Sequence, residues 1–251
     1  MNHLPSFRVE TRVDGNPYDT VIAAFPTRDM AGITTVDYTI NTTAVEKIAH
    51  IRGEGTNDIA TIRDGEPHHP IRVYNAPGLE LTFLYSEVFL PMAFADRLAA
   101  AIEDWCRDAG VELLTIVHGA TFPHSEEDHV PFFAASDGYR DRALSGVDGI
   151  TGLPVGVLDG LPGELLLRGT DAAGIDTGVL VTPAHLPGPD IDAALTLLEA
   201  VQAVHDVTID DTALRERGEE LREYYRGLVD RSRATEISPM VRDFPEDRMF
   251  M

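Results

Sequence analysis

Residues 79–117 read LELTFLYSEVFLPMAFADRLAAAIEDWCRDAGVELLTIV, and this stretch decides the fold class. Its first seven residues form an apolar, strand-like run. Pro91 then suits a first helical turn, because its missing N–H would have no partner there. Apolar residues follow at helical spacing, at Phe94, Leu98, Ile102 and Trp105. Gly110 ends the predicted helix, and Val111–Val117 predicts a buried strand. Strand, helix and strand in this order favour a parallel βαβ unit.

The residues before this unit alternate between short apolar runs and turn residues, which is typical of strands. The predicted strands are Phe7–Glu10, Thr20–Phe25, Val45–Ile51, Asp58–Ile62 and Ile71–Tyr74. Ala31–Thr42 predicts a helix despite its β-branched residues.

A second strand–helix series follows the opening stretch. It consists of a strand at Val155–Leu158, a turn at Gly160–Gly163, a helix from Glu164, a strand at Thr177–Thr182, a helix from Pro189 and a last helix from about Asp210. We therefore predict a three-layer α/β fold with a mixed, mostly parallel sheet flanked by helices. One domain over residues 1–232 and a flexible tail over 233–251 complete this prediction, because the helical period stops near Ser232.

The charge of the chain is its most unusual property. Asp and Glu number 42 against 20 Lys and Arg, for a formal net charge of -22, and Lys47 is the only lysine. So negative a field disfavours binding to nucleic acid or to an anionic membrane. An acid excess with almost no lysine is also what we expect of a halophilic protein, in which concentrated salt screens self-repulsion. An acidic protein from ordinary salt is the alternative.

The sequence further predicts a cytoplasmic protein. No segment approaches the roughly 18 consecutive apolar residues of a membrane span, and residues 1–14 lack a signal-peptide pattern. Cys106 is the only cysteine, so no intrachain disulfide can form. Its place in the predicted helix indicates a partly buried, inert thiol.

Common catalytic motifs do not occur in the sequence. It contains no G-x-x-x-x-G-K-[ST], G-x-S-x-G or H-E-x-x-H pattern, and we predict no catalytic residue and no cofactor. The turn with Gly160 and Gly163 is a candidate anion-binding turn, since it follows a predicted strand and opens a helix. Pro162 removes one of its amides, so a simple packing turn is the favoured interpretation.

Imidazoles and carboxylates are concentrated after the strand of the opening stretch. They are His118, His124, Glu126, Glu127, Asp128 and His129. Such groups can bind a metal, and sites of α/β proteins usually follow strands. An acidic run in so acidic a chain is more often a solvated loop, so no metal is predicted. His185 and His205 are interpreted as isolated structural histidines.

Three consecutive segments of the chain resemble the PAC2 family of proteasome assembly chaperones and their archaeal relatives. These segments are Gly160–Leu166, Gly178–Ala184 and Pro187–Ala194. They are similar to the family's G-x-x-G-x-L-L turn, its strand running into a Pro-rich loop, and its P-D-P-x-A-A helix start. Phe25–Gly32 resembles the family's early strand-to-helix loop, but lacks the tryptophan often found there.

The resemblance implies a fold related to purine nucleoside phosphorylases and a homo-oligomeric binding protein rather than an enzyme. Archaeal relatives carry a C-terminal hydrophobic–Tyr–any-residue motif that binds between α-subunits of the 20S proteasome core. Met249, Phe250 and Met251 match two of these three positions, with Phe250 in place of the tyrosine. The alternative is a nucleoside- or nucleotide-binding enzyme of phosphorylase-like or ATP-grasp-like type.

Overall fold

A computed structural model describes residues 5–12, 15–56, 58–121, 129–171, 173–186 and 188–220. Nine strands form one sheet in the order β1-β3-β6-β7-β2-β8-β11-β9-β10, and β4 and β5 form a separate hairpin. The strands are β1 Ser6–Thr11, β2 Thr20–Ala24, β3 Glu46–Glu54, β4 Thr61–Arg63, β5 Glu66–His68, β6 Ile71–Ala76, β7 Leu81–Ser86, β8 Leu113–Ala120, β9 Phe132–Ala135, β10 Thr151–Gly152 and β11 Asp176–Pro183.

The centre of the sheet is parallel. Strand β2 pairs in parallel with both β7 and β8, and β8 pairs in parallel with β11. Strands β1, β3 and β6 extend the sheet in antiparallel fashion on the side of β7. All five residues of β2 are buried, as expected of a strand covered on both faces. The predicted mixed α/β sheet flanked by helices is confirmed.

Helices cover both faces of this sheet and create two apolar cores. The helices are α1 Ala31–Thr42, α2 Ala95–Asp108, α3 Asp137–Ala143, α4 Gly160–Arg168 and α5 Ile191–His205. Leu98 of α2 and Leu165 of α4 pack in one core, whereas Val36 of α1 and Leu197 of α5 pack in the other. The alternation of β2 supplies Val21 and Ala23 to the first core and Ile22 and Ala24 to the second.

Most predicted elements match observed ones, and three differences have clear causes. Val155–Leu158 is not a strand, because Val155 and Val157 are 85% and 93% exposed and lie in a loop. Gly160 begins α4 instead of preceding it in a turn, and Pro189 precedes the N-cap Asp190 of α5. Strand β4 overlaps the predicted strand Asp58–Ile62 at only two residues, and strands β5, β9 and β10 and helix α3 were not predicted.

The chain divides into two compact units, Met1–Asp211 and Thr212–Met251. Within the second unit, residues 212–220 are helical, in agreement with a last helix that begins near Asp210. The predicted domain boundary at 232 and the predicted tail lie outside the described residues and stay predictions.

Candidate functional site

The carboxyl ends of β2, β8 and β11 lie side by side at one edge of the sheet. From β2 the chain continues through α1 to β3, on one side of the sheet, whereas from β8 it continues towards β9, β10 and β11 on the other. The two connections therefore diverge between β2 and β8. In open α/β sheets, ligands bind in the crevice at such a switch point.

The loop after β2 packs tightly on β8. Asp29 is 2% exposed, and its Oδ1 accepts hydrogen bonds from Thr27 Oγ1 and from the Ala31 N–H, both at 2.9 Å. A Cβ on Gly119 of β8 would lie 2.0 Å from the same oxygen, so only glycine fits there. The loop is thus fixed against the end of β8, and α1 begins directly from it.

The loop after β11 is fastened to the loop after β2 through the main chain. The N–H of Asp190 donates to the carbonyl of Asp29 at 2.9 Å, and the N–H of Gly188 donates to the carbonyl of Arg28 at 3.3 Å. The carboxylate of Asp190 also caps α5, since its Oδ1 accepts from the Ala193 N–H at 3.0 Å. These bonds hold Asp190 in a defined position at the edge of the sheet.

Two histidines converge on the second oxygen of this carboxylate. His129 Nε2 lies 3.4 Å and His185 Nδ1 lies 3.1 Å from Asp190 Oδ2, which also accepts the His185 backbone N–H at 2.6 Å. The two imidazole rings meet edge to face, with centroids 5.0 Å apart. We call His129, His185 and Asp190 the edge cluster. Its three ligand-type atoms all lie within 4.8 Å of one another.

The ionised form of Asp190 is stabilised by its hydrogen bonds. Burial alone would raise its pKa, but the hydrogen bond with His129 and the backbone N–H groups of Ala193 and His185 outweigh it, so the pKa lies well below its ordinary value. Because the pKa is depressed, the carboxylate is ionised at neutral pH. The cluster therefore combines one anionic oxygen with two imidazole nitrogens.

The structure gathers only part of the predicted histidine and carboxylate set. His129 joins the edge cluster, whereas His118 is not part of any ligand group among the described residues. Burial lowers the pKa of His118, and the nearby charges of Asp29 and Asp159 offset this lowering only in part. His124, Glu126, Glu127 and Asp128 lie outside the described residues.

Sequence reasoning missed two members of the cluster. His185 was interpreted as isolated and Asp190 was not singled out, because 61 residues separate His129 from Asp190 along the chain. One usable signal was present: Asp190 stands directly before the apolar period of α5, where a capping side chain is expected. The predicted strand Val111–Val117 precedes the segment of His129, and the predicted strand Thr177–Thr182 precedes that of Asp190. If these strands are parallel, the loops that follow them should meet at the same edge of the sheet.

The other predicted positions have packing environments. A Cβ on Gly163 would lie 2.3 Å from the Leu158 carbonyl oxygen, and Gly160 has a positive φ of 61°. Both positions favour glycine for conformation or space, and Asp159 at the N-cap adds negative charge there. Cys106 is fully buried, and burial raises its pKa to about 12. Met249, Phe250 and Met251 lie outside the described residues.

An apolar groove of about 360 Å³ lies at the same edge of the sheet, next to the core that contains α2 and α4. Val155 and Val157 line it from the exposed loop before α4, together with Phe132 of β9 and Val181 of β11.

Within the described residues, no helix has both the length and the apolarity needed to cross a membrane.

The protein is of the three-layer α/β class. Its polar cluster comes from loops at the carboxyl edge of the parallel strands. The chain belongs to the PAC2 family, whose sequence profile matches residues 22–229. The resemblance found in the sequence is thereby confirmed. No protein of curated function matches the sequence.

Solved structures with the same fold cover most of the chain. PbaA of Pyrococcus furiosus, an archaeal homolog of proteasome-assembly chaperone, is 17% identical with a TM-score of 0.78 over 91% of this chain and 94% of its own. PbaB of the same organism, an archaeal proteasome activator, is 18% identical with a TM-score of 0.73 over 89% and 98%. A Thermoplasma acidophilum protein of unknown function is 20% identical, with a TM-score of 0.70 over 88% and 89%. At these identities the likeness establishes the fold.

Proposed function

We propose that this protein is a proteasome-assembly-chaperone-type binding protein and not an enzyme. The observation that carries the proposal is membership of the PAC2 family over residues 22–229. The fold shared along nearly the full length with PbaA and PbaB supports it, because one is named a homolog of a proteasome-assembly chaperone and the other a proteasome activator. The partner proposed for this chain is the 20S proteasome core.

The proposed contact is made by the segment Met249–Met251 with the α-subunits of the core particle. An apolar residue followed by an aromatic one can insert into a pocket as a short peptide. Phe250 keeps most of the aromatic surface of the family's tyrosine but lacks its hydroxyl, so one hydrogen bond is lost. We expect Phe250→Tyr to bind at least as tightly as the natural sequence.

Self-association is the second element of the proposal. Ile59, Phe89 and Met92 are 53%, 63% and 67% exposed. Ile59 and Phe89 line a groove of about 470 Å³ with Phe7 and Phe94, and Met92 lies in the adjacent helical turn. Exposed apolar patches of this kind mark interaction surfaces, and a second copy of the chain is the proposed occupant. Several tails on one oligomer would bind an α-ring with an avidity that one tail lacks.

Pull-down of α-subunits and of mature 20S particles tests the proposal, with the protein in high salt. Full-length protein is compared with a chain lacking residues 249–251 and with Phe250→Ala. The matched control is Met251→Ala, because the last position of the motif accepts any residue and the substitution keeps Met249 and Phe250. We expect the truncation and Phe250→Ala to lose binding, and the control to retain most of it.

Each outcome bears on a different level of the proposal. Equal binding by the full-length and truncated chains would disprove the tail contact and leave the proteasome as partner. No binding by any form would disprove the proteasome-directed function itself. In that case a rise in melting temperature with purines or nucleotides would support the alternative of a nucleotide-binding enzyme.

A further inference from the structure

We propose that the edge cluster of His129, His185 and Asp190 is a binding site for a divalent transition metal, with Zn²⁺ as the preferred ion. Two imidazole nitrogens and one carboxylate oxygen form a ligand set typical of zinc sites that keep an open fourth position. This inference is independent of the proposed proteasome partner.

The distances within the cluster fit a shared metal ion as well as they fit hydrogen bonds. A tetrahedral ion with bonds of about 2.0–2.1 Å places neighbouring ligand atoms roughly 3.3 Å apart. The two measured separations from Asp190 Oδ2 are 3.4 Å to His129 Nε2 and 3.1 Å to His185 Nδ1. The first of these is long for a hydrogen bond between such groups. Both separations match edges of a coordination tetrahedron.

The carboxylate is oriented by groups outside the set of metal ligands, as metal sites require. Asp190 Oδ1 is occupied by the Ala193 N–H, and its main chain is bound to the carbonyl of Asp29. Oδ2 accepts the His185 backbone N–H at 2.6 Å and lies within 3.4 Å of both imidazoles. Such outer partners fix the ligand geometry and reduce the entropy lost when a metal binds.

Burial differs among the three ligands in a way that gives a metal access. The side chains of His129 and Asp190 are 8% and 7% exposed, whereas that of His185 is 45% exposed. Within the part of the chain that the structure describes, the side of His185 is the more exposed one, so a metal would approach the cluster from there. The ligands come from loops after β8 and β11, so the metal would also cross-link these two loops.

Zinc titration by calorimetry tests the site on the full-length chain. Excess Mg²⁺ is present throughout, because Mg²⁺ occupies the many surface carboxylates and competes poorly for imidazole. The variants are His185→Ala, in which the removed side chain is 45% exposed, and Asp190→Asn, whose amide oxygen can still cap α5. His68→Ala is the matched control, because His68 lies in the separate β4–β5 hairpin.

We expect one equivalent of Zn²⁺ to bind to the natural protein and to His68→Ala. His185→Ala should weaken binding by at least about 100-fold and Asp190→Asn by about 10-fold or more. Co²⁺ should give the intense visible bands of a four-coordinate ion, and these bands should be lost in His185→Ala. Zn²⁺ should also raise the melting temperature of the natural protein and not that of His185→Ala.

Two results would overturn the site. One is Zn²⁺ binding that His185→Ala leaves unchanged, since the metal would then sit elsewhere on the acidic surface. The other is that no Zn²⁺ binds to the natural protein in the presence of excess Mg²⁺. In that case the cluster is a hydrogen-bonded His–Asp–His group that only joins the two loops. Equal metal-free melting temperatures of His185→Ala and the natural protein establish that both chains are folded during the comparison.

Discussion

Buried charge is handled differently in the interior of the sheet and at its carboxyl edge. In the interior, Arg72 of β6 is completely buried, and its Nη2 donates to Tyr85 and lies 2.7 Å from Glu87 Oε1. Its Nε and Nη1, and Glu87 Oε2, have no hydrogen-bond partner among the described residues. At the edge, Asp190 is nearly as buried, yet both of its oxygens accept backbone N–H groups.

The difference arises from the elements that supply the side chains. A strand fixes the direction of its side chains by its pleat, so Arg72 must enter the layer beside α1 whether or not enough partners lie there. A loop can bend its main chain around a carboxylate and offer amide groups to it. We infer that interior charges depend on one or two side-chain partners, whereas edge charges depend on the backbone. The predictions below test this inference.

Replacement of Glu87 should have the largest effect. Burial raises the pKa of Glu87, but the hydrogen bond from Thr61 and the charges of Arg72 and Arg63 outweigh it and keep the carboxylate ionised. Glu87→Leu leaves Arg72 buried without a carboxylate and should cost about 4 kcal/mol of unfolding free energy. Urea denaturation measures this loss.

Arg72→Met is the matched control for this experiment. Glu87 would keep Arg63, whose Nε donates to it at 2.8 Å, so the loss should be less than half that of Glu87→Leu. The double variant should recover much of the stability, because no buried charge remains unpaired. Equal losses from the two single variants would contradict the dependence of Arg72 on one carboxylate.

Protonation of His205 should have the next largest effect. His205 Nε2 lies 2.9 Å from Thr115 Oγ1, which also contacts the hydroxyl of buried Tyr139 at 2.7 Å. Burial lowers the pKa of His205 to about 4 from 6.5. The unfolded chain therefore takes up a proton between pH 6.5 and 4 and the folded chain does not, so stability is complete above pH 6.5 and falls below it.

The expected contribution of His205 to this loss is about 3 kcal/mol at pH 4. Urea midpoints of the natural protein and of His205→Gln, measured across this pH range, isolate that contribution from the carboxylates common to both chains. Two curves that run parallel from pH 6.5 to 4 would show that His205 does not titrate with a lowered pKa.

Loss of the Asp190 carboxylate should have the smallest effect of the three. Asp190→Ala removes the acceptor for the Ala193 and His185 N–H groups and should cost about 2 kcal/mol. Asp190→Asn keeps an amide oxygen at the cap and should lose less than half as much. Thermal unfolding in the presence of a metal chelator compares the two variants without any contribution from bound metal. Equal losses for the two variants would mean that the charge, which both lack, and not the cap stabilises this edge.

The sequence predicted the fold where local pattern and burial agree. Ala31–Thr42 was predicted and observed with the same bounds, and its buried residues Ile33, Val36 and Ile40 lie in the core that also contains α5. The prediction of a strand at Val155–Leu158 was wrong. This apolar run resembles a buried strand in the sequence, but in the structure it forms an exposed loop. The sequence indicated that loops after parallel strands meet at one edge, but only the order β8-β11 in the sheet shows that His129 meets His185 and Asp190.

The order of strands in the sheet is also an order of synthesis. Residues 6–86 contain β1, β3, β6, β7 and β2, which are neighbours in the finished sheet, whereas β8, β11, β9 and β10 all add beyond β2. While a ribosome is still making residues 87–112, β2, with four apolar residues among its five, is therefore paired with β7 on one side and unpaired on the other. An unpaired edge of this kind readily pairs with another chain. Arrest of translation in this interval should yield an aggregation-prone fragment, whereas a chain that has completed β8 has covered the exposed edge.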